Sequence, residues 1–395
     1  MRMKNRCGPP VSGDDFFGRN AEIAQTWDLI ERNHVLLTAP RRVGKTSLFY
    51  HLKDHPQEGW DVLYVDIQAC RSYADVLDVF AQEVTKLNSQ SRLMKGLGTF
   101  LQRVKKISLA KIVEMEWDKN PELGAHKISE QILTALKSPQ AQLLVIIDEF
   151  PIFVQRLGNE SLSKQEDFLN GFRYLRQAVE RQSQGTIRFL LGGSIGLAEV
   201  VNQTKLSGTI NDLHTLHLEP FDPETATHFL DLLGESEKLT WNPEMLSLAI
   251  EHLGDYLIPF YLQLLFAQVK DLHKLKRHPL NLQIVHQAYE NLLKPESNKH
   301  FEPWDERLDK MFSAQELELL RSILKAACQE SNGIGRAIIE QEIRSQMPDR
   351  AYNEALFNRL LHILQHDGYL YLTPEKKYRF NSPLLRDWWK RKYID

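Results

Sequence analysis

Two short stretches of this 395-residue chain carry residue types and spacings suited to phosphate chemistry. The first is TAPRRVGKTSLF, Thr38 to Phe49, built around Gly44-Lys45-Thr46. A loop of the pattern G-x-x-x-x-G-K-[ST] wraps successive backbone N–H groups around phosphate oxygens at the positive end of the following helix. Here Pro40, Arg41, Arg42, Val43 and Gly44 would supply that cradle and Ser47 would close it. Lys45 would face the β- and γ-phosphates and the Thr46 hydroxyl would ligate Mg²⁺. The pattern asks for glycine at position 39, where this chain has Ala39. That position ends a strand and its side chain need not face a ligand, whereas Gly44 lies where backbone must approach phosphate closely. The second stretch is LLVIIDEF, residues 143–150. A buried strand ending in acid delivers a carboxylate to the sheet edge where ligands bind in open α/β folds. Asp148 would hold Mg²⁺ and Glu149 would polarise the attacking water as general base. The plainer alternatives are a basic turn at a helix start and two ordinary strand-end acids. A third stretch, RFLLGGSIGL, ends a strand near Ser194, which either senses the γ-phosphate or caps a helix.

The elements that must position these residues are legible around them. HVLLTAP (34–40) reads as a buried strand before the loop and SLFYHLKDH (47–55) as the helix after it. Further strands are expected at 61–69, 142–150, 186–194 and 212–221, and helices at 73–87, 126–139 and 169–182. Residues 88–126 are polar and basic and read as an insertion. In FFGRN, Phe16 and Phe17 either pack on the core, with Asn20 as a helix cap, or lie beside an adenine. This alternation argues for a parallel sheet covered by helices on both faces.

Strand signals then stop. Asp222-Pro223 and Asn242-Pro243 open helices, and IPFYLQLLFAQVKDLHKL is a third, so 222–294 reads as a helical domain. Residues 294–306 read as a linker. A capping box, Ser313-x-x-Glu316, opens the next helix. Two more helices follow, the second stopped by Gly368, then a hairpin about Thr373-Pro374-Glu375 and a last helix, LLRDWWKRKYID. Three helices and a hairpin make a winged-helix pattern. The expected domains are therefore 1–221, 222–294 and 295–395.

Composition narrows the class. Net charge is -3, so no global field draws the chain to nucleic acid or an anionic membrane. Cys7, Cys70 and Cys328 form no C-x-x-C pair, which argues against a zinc site or disulfide framework. The N-terminal stretch lacks the apolar core of a signal peptide, and no apolar run reaches the roughly 18 residues of a membrane span. A cytoplasmic protein without a membrane partner is expected.

Together FFGRNAEI, TAPRRVGKTSL, LLVIIDEF, FLLGGSIGL, GDYLIPFYLQLL and YRFNSPLLRDWWKRKY resemble the archaeal-type ATPase family, in the STAND branch of P-loop NTPases and related to AAA+ proteins. The likeness covers most of the chain. The loop with paired arginines and SPLLRDWW are its specific parts. It implies an α/β P-loop NTPase core, a helical lid and a C-terminal winged helix, with ATP or ADP and Mg²⁺ as cofactors. Lys45 and Thr46 are then implied on phosphate and Mg²⁺, Asp148 on Mg²⁺, Glu149 in catalysis and Ser194 as a sensor. Phe17, Gly18 and Arg19 match the family's nucleotide-side motif, and Pro259 its lid motif. Ala39 is one departure. GDYLIPF is another, spacing glycine and proline more widely than the usual GGHPYYL.

Such relatives often complete the site with an arginine. Arg41, Arg42, Arg173, Arg176 and Arg188 are the candidates. For the winged helix, Asn353, Asn358, Arg359, His362 and Gln365 lie off the apolar face of its third helix, and Lys376, Lys377 and Arg379 lie on its hairpin. Acids in the same segment balance these bases, so DNA and protein both stay open as partners. The expectation is an ATP-hydrolysing switch coupled to DNA or protein, or self-associating. The alternatives are a non-hydrolysing nucleotide-binding module and a recombination- or transposition-associated ATPase.

Overall fold

A computed structural model of the chain describes residues 3–86, 142–182, 187–193, 196–346 and 353–395. The expected insertion at 88–126 and helix at 126–139 lie outside them. The chain forms two compact units, Arg19–Ala39 with Lys45–Leu218, and Met1–Gly18 with Pro40–Gly44 and Glu219–Asp395.

The first unit is a five-stranded parallel sheet. Its strands are β1 (His34–Thr38), β2 (Trp60–Asp66), β3 (Gln142–Asp148), β4 (Ile187–Gly192) and β5 (Leu213–His217), in the order β2-β3-β4-β1-β5. Every residue of β4, and all of β3 after Gln142, is buried, as continuous apolar runs covered on both faces should be. Edge strand β5 leaves His214, Thr215 and His217 exposed, which is why its sequence signal is weak. Helices α1 (Asn20–Ile30), α2 (Lys45–Asp54) and α3 (Tyr73–Lys86) fall where expected. Asn20 is the first helical residue rather than the cap, which is Arg19 and makes no side-chain cap bond.

Two helices differ from expectation. β3 stops at Asp148, and α4 (Phe150–Glu160) begins at once, with Pro151 in its first turn where a missing N–H costs nothing. The next helix, α5 (Leu162–Gln182), starts seven residues before the expected 169, because its first turns carry polar residues without periodicity. Phe168 and Phe172, one turn apart, bring α5 onto Phe150, Phe153 and Phe189 with ring centroids 5.0–5.7 Å apart. A short α6 (Leu197–Gln203) follows β4.

The second unit is mostly helical. Asp222 accepts the Thr225 N–H at 2.8 Å to open α7 (Pro223–Glu237), and Asn242 accepts that of Met245 at 2.8 Å to open α8 (Pro243–Leu253). Helix α9 spans Pro259–Lys274, and a fourth helix, α10 (Leu282–Leu292), is capped by Asn281. The expected linker at 294–306 is instead a 3-10 turn, Pro295–His300, running into α11 (Glu302–Met311). Phe301, Trp304 and Leu308 are each at most 1% exposed, so this polar-looking segment buries one apolar stripe. The capping box forms at Ser313 and Glu316 and starts α12 (Ala314–Gln329). Then come β6 (Ile334–Gly335), α13 (Arg336–Gln346), α14 (Glu354–His366), β7 (Leu370–Leu372), β8 (Lys377–Phe380) and α15 (Pro383–Tyr393). The three strands pair antiparallel in the order β6-β8-β7, with Leu370 opposite Phe380.

A buried charge cluster ties α11, α12 and α15 together. Asp305, 4% exposed, accepts from Arg321 at 3.0 Å, from Lys392 Nζ at 2.7 Å and from the Tyr393 hydroxyl. Burial alone would raise its pKa, but the bonds from Lys392, Tyr393 and Arg321 outweigh it and hold the carboxyl below its ordinary range.

Candidate phosphate and metal site

In the α/β unit, Lys45 and Thr46 open α2 while Asp148 ends β3. The Thr46 hydroxyl donates to Asp148 Oδ2 at 2.9 Å. The Tyr64 hydroxyl, on the neighbouring strand β2, donates to the same oxygen at 3.1 Å. Asp148 Oδ1 accepts the Glu149 N–H at 2.9 Å. Asp148 is 2% exposed, and burial, then the adjacent Glu149, push its pKa up against the opposing pull of Lys45 and Thr46. Burial and the Asp148 charge push the Tyr64 phenol up too, so it stays a hydrogen donor. Thr46 thus turns its proton to the carboxylate and leaves its oxygen lone pairs for another partner. A hydroxyl and a carboxylate so joined form an all-oxygen pair that suits a small hard cation such as Mg²⁺.

Glycine shapes this edge. A Cβ on Gly192 would sit 2.4 Å from the Phe49 ring and 3.3 Å from Lys45 Cδ. One on Gly193 would sit 2.4 Å from Pro151 Cδ and 3.5 Å from Glu149 Cα. The GG pair therefore lets β4 end close against both the start of α2 and the Asp148–Glu149 turn. Glu149 itself takes a left-handed backbone, φ 57°, as the cap residue of α4. Ser194, the expected sensor, lies outside the described residues.

The Pro40–Gly44 loop groups with the second unit. Gly44 has φ 109° with no atom within 4 Å of a built Cβ, so backbone conformation rather than crowding calls for glycine there. Arg42 also has positive φ, 72°, and Val43 is buried. Ala39 is 6% exposed just past the end of β1, and Ser47 is 7% exposed on α2. Phe17 packs on α7, its ring centroid 5.5 Å from Phe229 and 5.2 Å from His228. Gly18 has φ 72°, and a Cβ there would meet Thr225 Cγ2 at 2.9 Å. Arg19 is 4% exposed and pairs with Glu22 at 2.5 Å. Pro259 occupies the first turn of α9.

Among the arginine-finger candidates, Arg176 and Arg188 are engaged within the α/β unit. Arg176, 1% exposed, forms a two-pronged pair with Asp212 at 2.7 and 2.8 Å and donates to the Thr209 carbonyl. Arg188 donates to the Ile30 carbonyl at 3.0 Å and to Glu180 at 2.6 Å. On the C-terminal segment, Arg359 pairs with Glu316, and Arg379 with Asp255 at 2.8 Å. Asn353 is used as the cap of α14. Asn358, His362, Lys376 and Lys377 are exposed. Sequence reasoning missed Tyr64, Gly192 and Gly193. The polar Tyr64 and Asp66 on either side of Val65, near a strand end, were the available signal for the first.

No family model matches the chain. It is 22% identical over 253 residues to an uncharacterized ATP-binding protein of Methanocaldococcus jannaschii, covering 60% of this chain and 67% of that one. In structure it is similar to a Walker-type ATPase of Pyrococcus abyssi, with TM-score 0.63 and 16% identity over 98% of this chain and 99% of the other. It is also similar to the Aeropyrum pernix ORC2 protein in ADPNP–ADP complexes, with TM-score 0.54 and 15% identity over 99% and 98%. The chain has the α/β P-loop NTPase fold that these likenesses share. Among the described residues no helix is long and apolar enough to cross a membrane.

Proposed function

We propose that this chain binds ATP with Mg²⁺ and hydrolyses it, as a switch ATPase of the STAND and AAA+-like kind. The Thr46 hydroxyl on Asp148 Oδ2, beside a Lys45 that is 8% exposed, carries the reading. That trio pairs an oxygen set for a hard cation with an ammonium for phosphate, at the carboxyl edge of a parallel sheet. Lys45 would neutralise the β- and γ-phosphates, and the 40–44 backbone with Ser47 would cradle them. Thr46 and Asp148 would hold Mg²⁺, whose chemistry there is charge neutralisation on the phosphates. Glu149 would orient and deprotonate the attacking water. Ser194 and the Phe17–Arg19 turn stay assigned to the nucleotide by sequence pattern and resemblance.

The relative that binds ATP by name, and the ADPNP–ADP complexes of the Aeropyrum pernix protein, support nucleotide binding. The test is Mg²⁺-dependent phosphate release by the wild-type protein, set against Lys45→Ala. Equal rates in the two proteins would remove the assignment.

We further read α12, α13 and α14 with the β6-β8-β7 sheet as a winged helix that contacts a protein partner or a second copy of the chain. What favours protein over DNA is that Arg359 and Arg379 are already paired with Glu316 and Asp255. Exposed Lys376 and Lys377 leave a small cationic footprint. DNA that accelerates hydrolysis with a steep salt dependence would reverse this preference and favour a recombination-type ATPase.

A further inference from the structure

We propose that Arg41 and Arg42 are positioning residues: they tether the 40–44 loop to the C-terminal unit, so that this unit sets how tightly the loop grips phosphate. The inference rests on the nucleotide site proposed above. Three successive loop residues each meet a different C-terminal element. Pro40 lies against Gly368, just past α14, where a Cβ would come 2.9 Å from Pro40 Cβ and 3.4 Å from the Arg41 nitrogen. Arg41 NH1 donates to the Pro303 carbonyl at 3.3 Å, and its guanidinium lies 5.9 Å from the Trp304 ring centroid. The Arg42 guanidinium lies 4.4 Å from the Phe260 ring centroid, one residue into α9.

The receiving residues are themselves braced. Phe260 is 4% exposed and Trp304 1% exposed. Trp304 stands edge-on to Tyr369 at 5.0 Å and accepts the Tyr369 hydroxyl on its carbonyl at 2.7 Å. Arg42 reaches its ring from a left-handed backbone, φ 72°, which a residue with a side chain adopts at a cost. A guanidinium over an aromatic face keeps its charge while shedding water, so the contact suits a half-buried loop arginine. Loop conformation and the seating of α9, α11 and the end of α14 are then one linked equilibrium. Phosphate that orders the loop strengthens the seating, and a partner that shifts those helices weakens phosphate binding by the same factor.

The test is a double-mutant cycle on nucleotide affinity with Arg42→Ala, Phe260→Leu and the pair, beside Phe260→Tyr, which keeps the ring. Each single variant should weaken a fluorescent ATP analogue about fivefold, the size of one such contact, with the pair no worse than either alone and Phe260→Tyr near wild type. Additive losses, or Phe260→Leu at wild-type affinity while Arg42→Ala is weakened, would mean that Arg42 meets the nucleotide directly and would overturn the tether. Amide exchange in the nucleotide-free protein reads the tether without any ligand. Residues 41–44 should exchange about fivefold faster in Phe260→Leu, and 260–263 faster in Arg42→Ala. Unchanged exchange in both sinks the tether even where nucleotide binds. A wild-type protein that binds no nucleotide but gives both exchange shifts loses the proposed function and keeps the tether. Where Phe260→Leu unfolds the chain, Arg42→Ala alone decides by the 260–263 exchange.

Discussion

Two buried aspartates, one in each unit, are held in opposite ways. Asp305 accepts from Arg321, Lys392 and the Tyr393 hydroxyl, and its pKa is held down. Asp148, equally buried, accepts from two hydroxyls and a backbone N–H beside a second carboxylate, and its pKa is pushed up. The first is a closed ion cluster that joins three helices. The second is a carboxylate whose charge the fold itself disfavours. Burial alone does not separate the two. The hydrogen-bond donors do.

The largest expected contrast is in stability. Asp305→Ala should cost about 1.5–3 kcal/mol in denaturant unfolding, because it removes the shared acceptor of Lys392, Tyr393 and Arg321 and leaves Arg321 with Asp309 alone. A loss under 1 kcal/mol would show the cluster to be no more than a solvated surface network. Asp148→Asn should do the reverse. Its ATPase rate should fall by about 10²–10³-fold while unfolding stability holds or rises. If Asp148→Asn destabilises the fold as much as Asp305→Ala does, the contrast collapses.

Acid titration sharpens the comparison through sign. Asp305 has a folded pKa below its ordinary 3.8. Its contribution is present above that value and lost as pH falls through the lower, folded one. Asp148 has a folded pKa above 3.8, so the native state holds the extra proton in the window just above 3.8 and loses stability as pH rises through it. Asp305→Asn should therefore flatten the acid limb below pH 3.8, and Asp148→Asn should remove a slope of opposite sign above it. Unfolding curves collected across acid pH for both variants check the two signs.

The smallest effect expected is at Tyr64. Tyr64→Phe removes one hydroxyl from Asp148 and should cost about 1 kcal/mol of stability. It should also raise the Mg²⁺ concentration needed for half-maximal hydrolysis, because the Asp148 Oδ2 then keeps the Thr46 hydroxyl and loses that of Tyr64. A Mg²⁺ dependence identical to wild type would make the Tyr64 bond a packing detail.

Local chemistry made much of this protein legible in advance. Asp222-Pro223, Asn242-Pro243 and Ser313-x-x-Glu316 open helices because caps act within four residues of chain. The runs HVLL and LLVIID read as strands because both faces are covered, which leaves no polar position to break the run. What failed was long-range or masked by polarity. The 294–306 segment looked like a linker because a single apolar stripe, Phe301, Trp304 and Leu308, is thin beside its charged neighbours. Helix α4 was missed because a single residue separates it from the strand end, and that residue, Glu149, makes no side-chain cap bond.

The sequence by itself determined the parallel-sheet core, the Gly44-Lys45-Thr46 loop start and the Asp148–Glu149 strand end, since each is a pattern of neighbours along the chain. Tertiary structure alone decided that Tyr64 shares Asp148 with Thr46, that Asp305 is neutralised by Lys392 from α15, and that Arg41 and Arg42 meet Pro303, Trp304 and Phe260. Those partners lie 84 and 102, 87, and more than two hundred residues apart in the chain. Hydrogen bonds and ring contacts act over a few ångströms of space, and no spacing rule along a sequence reaches so far.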